Sequence, residues 1–259
     1  MVSYAITRDG VRIAYESVGH GKPLLLVHGL GDDRSIWNGI VHMLAPRYTC
    51  VTLDLRGHGQ TTGGRDFDPF GLWRDIDAVV TDAGLREPAL IGHSLGAFVA
   101  TLFAARQRER VRAVVNVDQS LALDAFAPAV RAHEAALRAG KVKEVFFDLL
   151  GATGLGPVSR ALRERLERSR ERLPAEVILG IWGPLFGTKE RLDAQVERAL
   201  AQVAAPYLCI FGQAAPAEYV AWLKRHLAQA EVESWTGLGH FLHLLEPERF
   251  CERVRQFIC

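Results

Sequence analysis

The sequence is short of several things, and each shortage removes a class of protein. Only four of its 259 residues are cysteine. Cys50, Cys209, Cys251 and Cys259 stand far apart and without metal-ligand spacing, so neither a disulfide framework nor a zinc site is expected. An excess of charge is missing too: 31 Lys and Arg face 30 Asp and Glu, a formal net charge of +1. The signs are mixed along the chain, which speaks against a nucleic-acid partner. No apolar run approaches the length that crosses a bilayer, and no membrane association is expected. The opening residues Met1 to Asp9 have neither the basic segment nor the apolar core of a leader, which points to the cytoplasm. Phosphate-binding glycine loops and ligand clusters are lacking, so neither a metal nor an organic cofactor is expected.

What is present is hydrophobic material, 49% of the chain, enough for one large core. Two short alternating runs, Tyr4 to Thr7 and Val11 to Ser17, meet at Asp9-Gly10 and predict a hairpin. Further strands are predicted at Leu24 to Val27, Cys50 to Asp54, Pro88 to Ile91, Val111 to Val117, Tyr207 to Gly212 and Val232 to Trp235. Between them fall helical patterns at Ser35 to Leu44, Asp68 to Gly84, Ala97 to Ala105, Ala217 to Leu227 and Pro247 to Phe257. Strands alternating with helices build parallel βαβ units, hence an α/β fold: a mostly parallel central sheet with helices on both faces.

From residue 119 to about 205 the strand pattern stops, and helical segments rich in Arg, Glu, Ala and Leu take over. The expected organisation is a core of 1–118 and 206–259 with a helical lid, 119–205, inserted after the sixth strand. Leu162, Leu166 and Leu173 make only a narrow stripe on Val158 to Leu173, so that helix is expected on the outside. Val145 to Leu150 and Val177 to Phe186 are apolar nearly all round and must be covered. The candidate walls of an apolar substrate pocket are Phe146, Trp182 and Phe186 from the insert and Trp37 from beneath the loop after the third strand.

Ligands of such sheets bind at the carboxyl ends of the strands, where His28, Ser94, Asp118 and His240 all fall. Gly92-His93-Ser94-Leu95-Gly96 places a serine between two glycines, after a strand and before a helix. A hydroxyl at such a turn is presented outward on a strained backbone, with the first N–H groups of the helix aimed at the same spot. His28-Gly29-Leu30-Gly31 ends the third strand, and the N–H groups of Leu30 and Leu95 are the candidate oxyanion donors. A serine hydroxyl needs an imidazole to take its proton. His240, in Gly239-His240-Phe241, is the candidate base, with His243 its rival; His28 is expected to hold the oxyanion loop, His58 to sit in a turn, and His93 to point away from the serine. Asp54 and Arg56, two apart in a glycine turn, are expected to fix that turn by hydrogen bonds.

His28-Gly29-Leu30-Gly31, Asp54-Leu55-Arg56-Gly57-His58-Gly59, Gly92 to Gly96, and Gly239-His240-Phe241 with Glu246-Pro247 together resemble the α/β-hydrolase fold family, in its lid-containing serine hydrolase and esterase subgroup. The resemblance covers essentially the whole chain and implies Ser94 as nucleophile and His240 as base. The sequence departs from the family in the third member: where most members carry an acid three residues past the glycine ending the penultimate strand, Gly212-Gln213-Ala214-Ala215 has alanine. Some members place the acid one strand earlier, which here is Asp118. Glu218, six residues past Gly212, is the alternative acid, and a serine-histidine dyad is the remaining one. The implied activity is hydrolysis of an ester, lactone or thioester of a small apolar substrate through an acyl-enzyme on Ser94, by a monomer or homodimer. The same residues are compatible with carbon–carbon bond hydrolysis or perhydrolysis. The alanine at the usual acid position supports a second expectation, a slow-turnover ligand-binding or signalling protein that has kept the pocket.

Overall fold

A computed structural model describes residues 1–123, 126–152 and 154–259 of the chain; the side chain of Leu150, counted in the apolar run 145–150, lies outside the described residues. The strands are β1 (Ser3–Ile6), β2 (Arg12–Val18), β3 (Lys22–Val27), β4 (Tyr48–Leu53), β5 (Ala89–His93), β6 (Ala113–Val117), β7 (Tyr207–Phe211) and β8 (Ala230–Ser234). They make one eight-stranded sheet in the order β1-β2-β4-β3-β5-β6-β7-β8. β1 and β2 form the antiparallel hairpin, β2 runs antiparallel to β4, and every other pairing is parallel. The fold is that of an α/β hydrolase.

The period of two in a strand divides the core in half. Leu24 and Leu26 of β3 point to one face, where α1 (Asn38–Leu44) and a later C-terminal helix cover them through Ile40, Leu44, Phe250 and Val254. Leu25 and Val27 point to the other, under α2 (Trp73–Asp82) and α3 (Leu95–Arg106). Both faces are apolar, so the inner strands read as continuous hydrophobic runs. Between β6 and β7 the chain forms α4 (Ala127–Ala132), α5 (Glu134–Arg138), α6 (Val142–Ala152), α7 (Arg160–Arg172), α8 (Ala175–Trp182) and α9 (Lys189–Leu200). After β7 come α10 (Ala217–His226), the single turn α11 (Leu242–Leu245) and α12 (Pro247–Ile258), which closes the α1 face.

Several element boundaries differ from the sequence reading by a few residues. The helix expected from Ser35 begins as a 3-10 turn, Arg34–Trp37, with Asp33 accepting from the Ser35 N–H. The helix expected from Asp68 starts only at Trp73, because the Asp68 carboxylate takes the Phe70 N–H into a side-chain turn instead. β8 begins two residues early, at Ala230, opposite Tyr207 of β7. Among the described residues no helix is long and apolar enough to cross a membrane.

β3 lies between β4 and β5, so the chain winds outward from it in two directions and a crevice opens above its carboxyl end. The loops after β3 and β5 meet there.

Candidate active site

Ser94 follows β5 with φ 51° and ψ −125°, a conformation that L-residues adopt only when their surroundings impose it. The two flanking glycines impose it here. A Cβ on Gly96 would lie 2.3 Å from the Val27 carbonyl oxygen, and one on Gly92 would lie 2.4 Å from Ala97. Without side chains at these two positions α3 starts hard against β3 and β5, and Ser94 stands at its N-terminus facing a cavity of about 880 Å³. Leu30 and Leu95 line the same cavity.

His240 lies in a short 3-10 turn whose backbone three neighbours hold. Its N–H donates to the Gly154 carbonyl (2.9 Å), its carbonyl faces His93 Nε2 (2.8 Å), and the Gly239 N–H donates to the Gly212 carbonyl (3.1 Å). The ring presents Nδ1 to Asp118 Oδ2 at 2.6 Å. Asp118, at the end of β6 with φ 56°, is fixed in turn, its Oδ1 accepting the Gly212 N–H at 2.8 Å. β6 and β7 are adjacent parallel strands, so an acid at the end of one can stand in for an acid at the end of the other. Gly212 itself has no room for a side chain: a Cβ would come within 1.8 Å of the Gly239 carbonyl oxygen. Glu218 is in the first turn of α10 and lines the cavity, but no hydrogen bond joins it to the His240 ring. Among the described residues none joins Ser94 Oγ to that ring either, so His240 Nε2 is unoccupied. Such contacts commonly close only when substrate enters.

The other histidines hold the site together. His28 Nδ1 faces the Gly29 carbonyl (2.8 Å) and its Nε2 accepts the Leu55 N–H (3.0 Å). His58 Nδ1 faces the Arg56 carbonyl (3.0 Å) and its Nε2 accepts the Gly31 N–H (3.2 Å), so a neutral ring pins the loop that carries Leu30. Burial enforces neutrality, pushing His28 down to about 4 and His58 to about 3. His93, expected to point away from Ser94, packs against His240. It lines the cavity, its ring 4.6 Å from that of His240, and burial among other rings drives it well below the usual histidine range. His243 is fully buried behind it and touches no part of the cavity. Asp54 accepts from the backbone of Arg34 and Gln60, and Arg56 joins Asp75 and Asp9, so both fix turns.

Phe146 and Trp182 line the cavity, their rings 5.9 Å apart. Trp37 does not. It is fully buried on the α1 face of the sheet, its ring tilted against that of His243, because a side chain on the first turn after Asp33 is carried under the loop and away from it. Phe186 is not a wall either; it ends the Gly183–Phe186 turn and is 37% exposed on the outer side. The cavity is also more polar than the apolar runs suggested, since Asp32 and Arg170 are part of its wall. Asp32 follows the oxyanion loop directly. Arg170 is one of six arginines on α7, and in a helix expected on the outside nothing singles it out except that it falls on the same helical stripe as Leu162, Leu166 and Leu173. Among the described residues no three His, Cys, Asp or Glu side chains assemble as metal ligands.

A family profile described as "Alpha/beta hydrolase family" matches residues 24–253. The pimeloyl-[acyl-carrier protein] methyl ester esterase of Aeromonas salmonicida is 26% identical over 262 residues, covering 95% of this chain and 99% of that relative. Among solved structures, the esterase EaEST from Exiguobacterium antarcticum superposes with a TM-score of 0.84 at 18% identity, over 100% of this chain and 99% of that one. A putative aryl esterase from Burkholderia cenocepacia gives 0.78 at 21%, over 100% and 98%. At such identities the two structures speak for the fold alone.

Proposed function

This chain belongs to the alpha/beta hydrolase family, and from that premise we propose that it is a serine esterase whose catalytic triad is Ser94, His240 and Asp118. Esterase relatives such as the Aeromonas enzyme support ester hydrolysis. The observation that carries the finer reading is the 2.6 Å contact between His240 Nδ1 and Asp118 Oδ2 at the edge of the cavity that Ser94 faces. A carboxylate on Nδ1 keeps the ring proton there and leaves the Nε2 lone pair toward the cavity, which is the tautomer a general base requires. Nε2 then takes the Ser94 proton as Oγ attacks the carbonyl carbon. The N–H groups of Leu30 and Leu95 receive the negative charge on the former carbonyl oxygen; neither is used in the backbone bonds of the turns among the described residues. The protonated ring passes its proton to the leaving alcohol, and a water activated by the same Nε2 releases the acid and restores Ser94.

The substrate is a small ester, lactone or thioester with an apolar part held by Phe146, Leu149, Ile181 and Trp182 of the 119–205 insert, which acts as the lid. The slow-turnover ligand-binding alternative drew its motive from the missing acid after β7, and Asp118 removes that motive.

The test is intact mass after exposure to a serine-directed fluorophosphonate. Wild type should gain one adduct, Ser94→Ala and His240→Ala none, and Asp118→Asn should label far more slowly, with turnover of a chromogenic ester down by about four orders of magnitude. Folded wild type that takes no label defeats the esterase reading. Undiminished labelling of Asp118→Asn returns the acid to Glu218 or to a dyad.

A further inference from the structure

Arg170 is 4% exposed, yet its guanidinium has no hydrogen-bond partner and no carboxylate within ion-pair distance among the described residues. An uncompensated buried cation costs several kcal/mol, and proteins seldom keep one without use. Its position is specific. A Cβ on Gly31 would lie 2.9 Å from Arg170 Cγ, so α7 rests directly on the oxyanion loop, and the guanidinium lies 5.6 Å from the ring centre of Phe241, the residue after His240. The side chain thus bridges the two loops that carry the reacting groups and forms part of the cavity wall. Asp32, the acid whose charge it feels most, is fully enclosed in the same wall with Oδ1 unpartnered. Burial raises that carboxyl to about 6, and it stands beyond ion-pair distance of the guanidinium, so it compensates the cation only in part. His93 does not fill the gap. Its Nε2 faces a carbonyl and must carry the proton, while Nδ1 stands bare, 3.9 Å from Asp32 Oδ2.

We propose that Arg170 is the binding site for a carboxylate carried by the substrate, so that the preferred substrates are esters or lactones whose acyl part ends in a second, ionised carboxyl group. The assignment rests on the serine esterase reading for the ester end of the molecule. The guanidinium offers a planar pair of donors that a carboxylate fills in two parallel bonds, and it stands in an enclosure where a charge-assisted bond is strong. The apolar side chains of α6 and α8 would take the methylene chain between the two ends.

The experiment compares 4-nitrophenyl valerate with the mono-4-nitrophenyl esters of the dicarboxylic acids from succinate to adipate, on wild type, Arg170→Met and Arg170→Lys. Wild type should favour at least one charged ester over valerate. That preference in kcat/KM should fall about 10- to 100-fold in Arg170→Met, mostly through KM, and be partly restored in Arg170→Lys. In parallel, calorimetry should detect glutarate or adipate binding to Ser94→Ala and lose it when Arg170→Met is added. A wild type that prefers valerate over every charged ester overturns the proposal without any variant. An equal loss on neutral and charged esters in Arg170→Met overturns it as well, since Arg170 would then only support the loops. If no ester is turned over and Ser94 takes no label, the esterase reading fails, while dicarboxylate binding to Ser94→Ala still decides the site.

Discussion

His243 shows how far a residue's surroundings can differ from what its sequence position suggests. Three positions past His240, it was the rival base, but it is fully buried with neither ring nitrogen partnered, between Trp37 at 4.8 Å and His93 at 4.7 Å. Burial, reinforced by His240, pushes it down to about 3. A buried donor or acceptor without a partner costs about 1–3 kcal/mol. His243→Phe, which keeps the ring and drops the nitrogens, is therefore expected to raise stability by about 1–2 kcal/mol at pH 7 in urea unfolding. A lower midpoint would mean that the nitrogens are satisfied by ordered water and that the ring is held for them. Trp37 and Phe186 illustrate the same limit from the other side: both are large aromatic residues expected in the cavity wall, and the turns that carry them, Arg34–Trp37 and Gly183–Phe186, send them away from it. Arg170 is the converse, a charge that sequence places at the surface and packing places in the cavity.

Secondary-structure elements were easier to read than side chains. The hairpin, the parallel strands, the serine turn and the helices between β6 and β7 occur where hydrophobic periodicity places them, with shifts of a few residues at their ends. What periodicity could not convey is that the insert grips the loop of His240. Gly154 accepts the His240 N–H, and the Gly154–Gly156 segment lies so close to Leu238 and Gly239 that a Cβ on Gly156 would meet the Leu238 carbonyl oxygen at 2.1 Å. Gly156 also has φ 75°, which penalises any side chain. Gly156→Ala should therefore shift the histidine loop by a fraction of an ångström or more and lower kcat by up to about 100-fold, with the protein still folded by circular dichroism. Gly151→Ala, on an exposed helical position with no atom near its Cβ, is the control and should leave kcat within about twofold. Equal kcat in the two variants would show that the insert covers the site without positioning it.

Four of the nine histidines are buried and held neutral, and that sets the molecule's response to acid. His28 is held at about 4, His58 and His243 at about 3, and His93 well below its ordinary value, in each case chiefly by desolvation. The unfolded chain takes up these protons near pH 6.5 while the folded one does not. Their contribution is thus complete above pH 6.5 and is lost progressively as pH falls toward 4. Asp32 works the other way: its carboxyl, held at about 6, gains its proton in the folded state first and offsets one of the four. The net slope is then about three protons, at most roughly 4 kcal/mol per pH unit between pH 6 and 4. Unfolding in urea should show a midpoint nearly constant from pH 8 to 7 and falling steeply below 6. A midpoint that stays level down to pH 4.5 would mean that some of these rings are charged in the folded protein.

Sequence alone determined the chemistry available and the order in which it is met: a strained serine between glycines, a histidine after the last strand, an acid at the end of β6, a helical insert between β6 and β7. These follow from local rules, the period of two or 3.6 and the steric freedom of glycine, which act over a few residues. Tertiary structure alone decided which acid reaches the ring: Asp118 stands at the end of β6 with Oδ1 held by the Gly212 N–H and Oδ2 on His240, while Glu218 sits in the first turn of α10 with no bond to the ring. It alone decided which histidines are pins, which aromatic residues form walls, and that an arginine of α7 is enclosed beside the loop after β3. Those outcomes depend on contacts between segments far apart in the chain, where a rotation of one helix by a third of a turn exchanges surface for cavity.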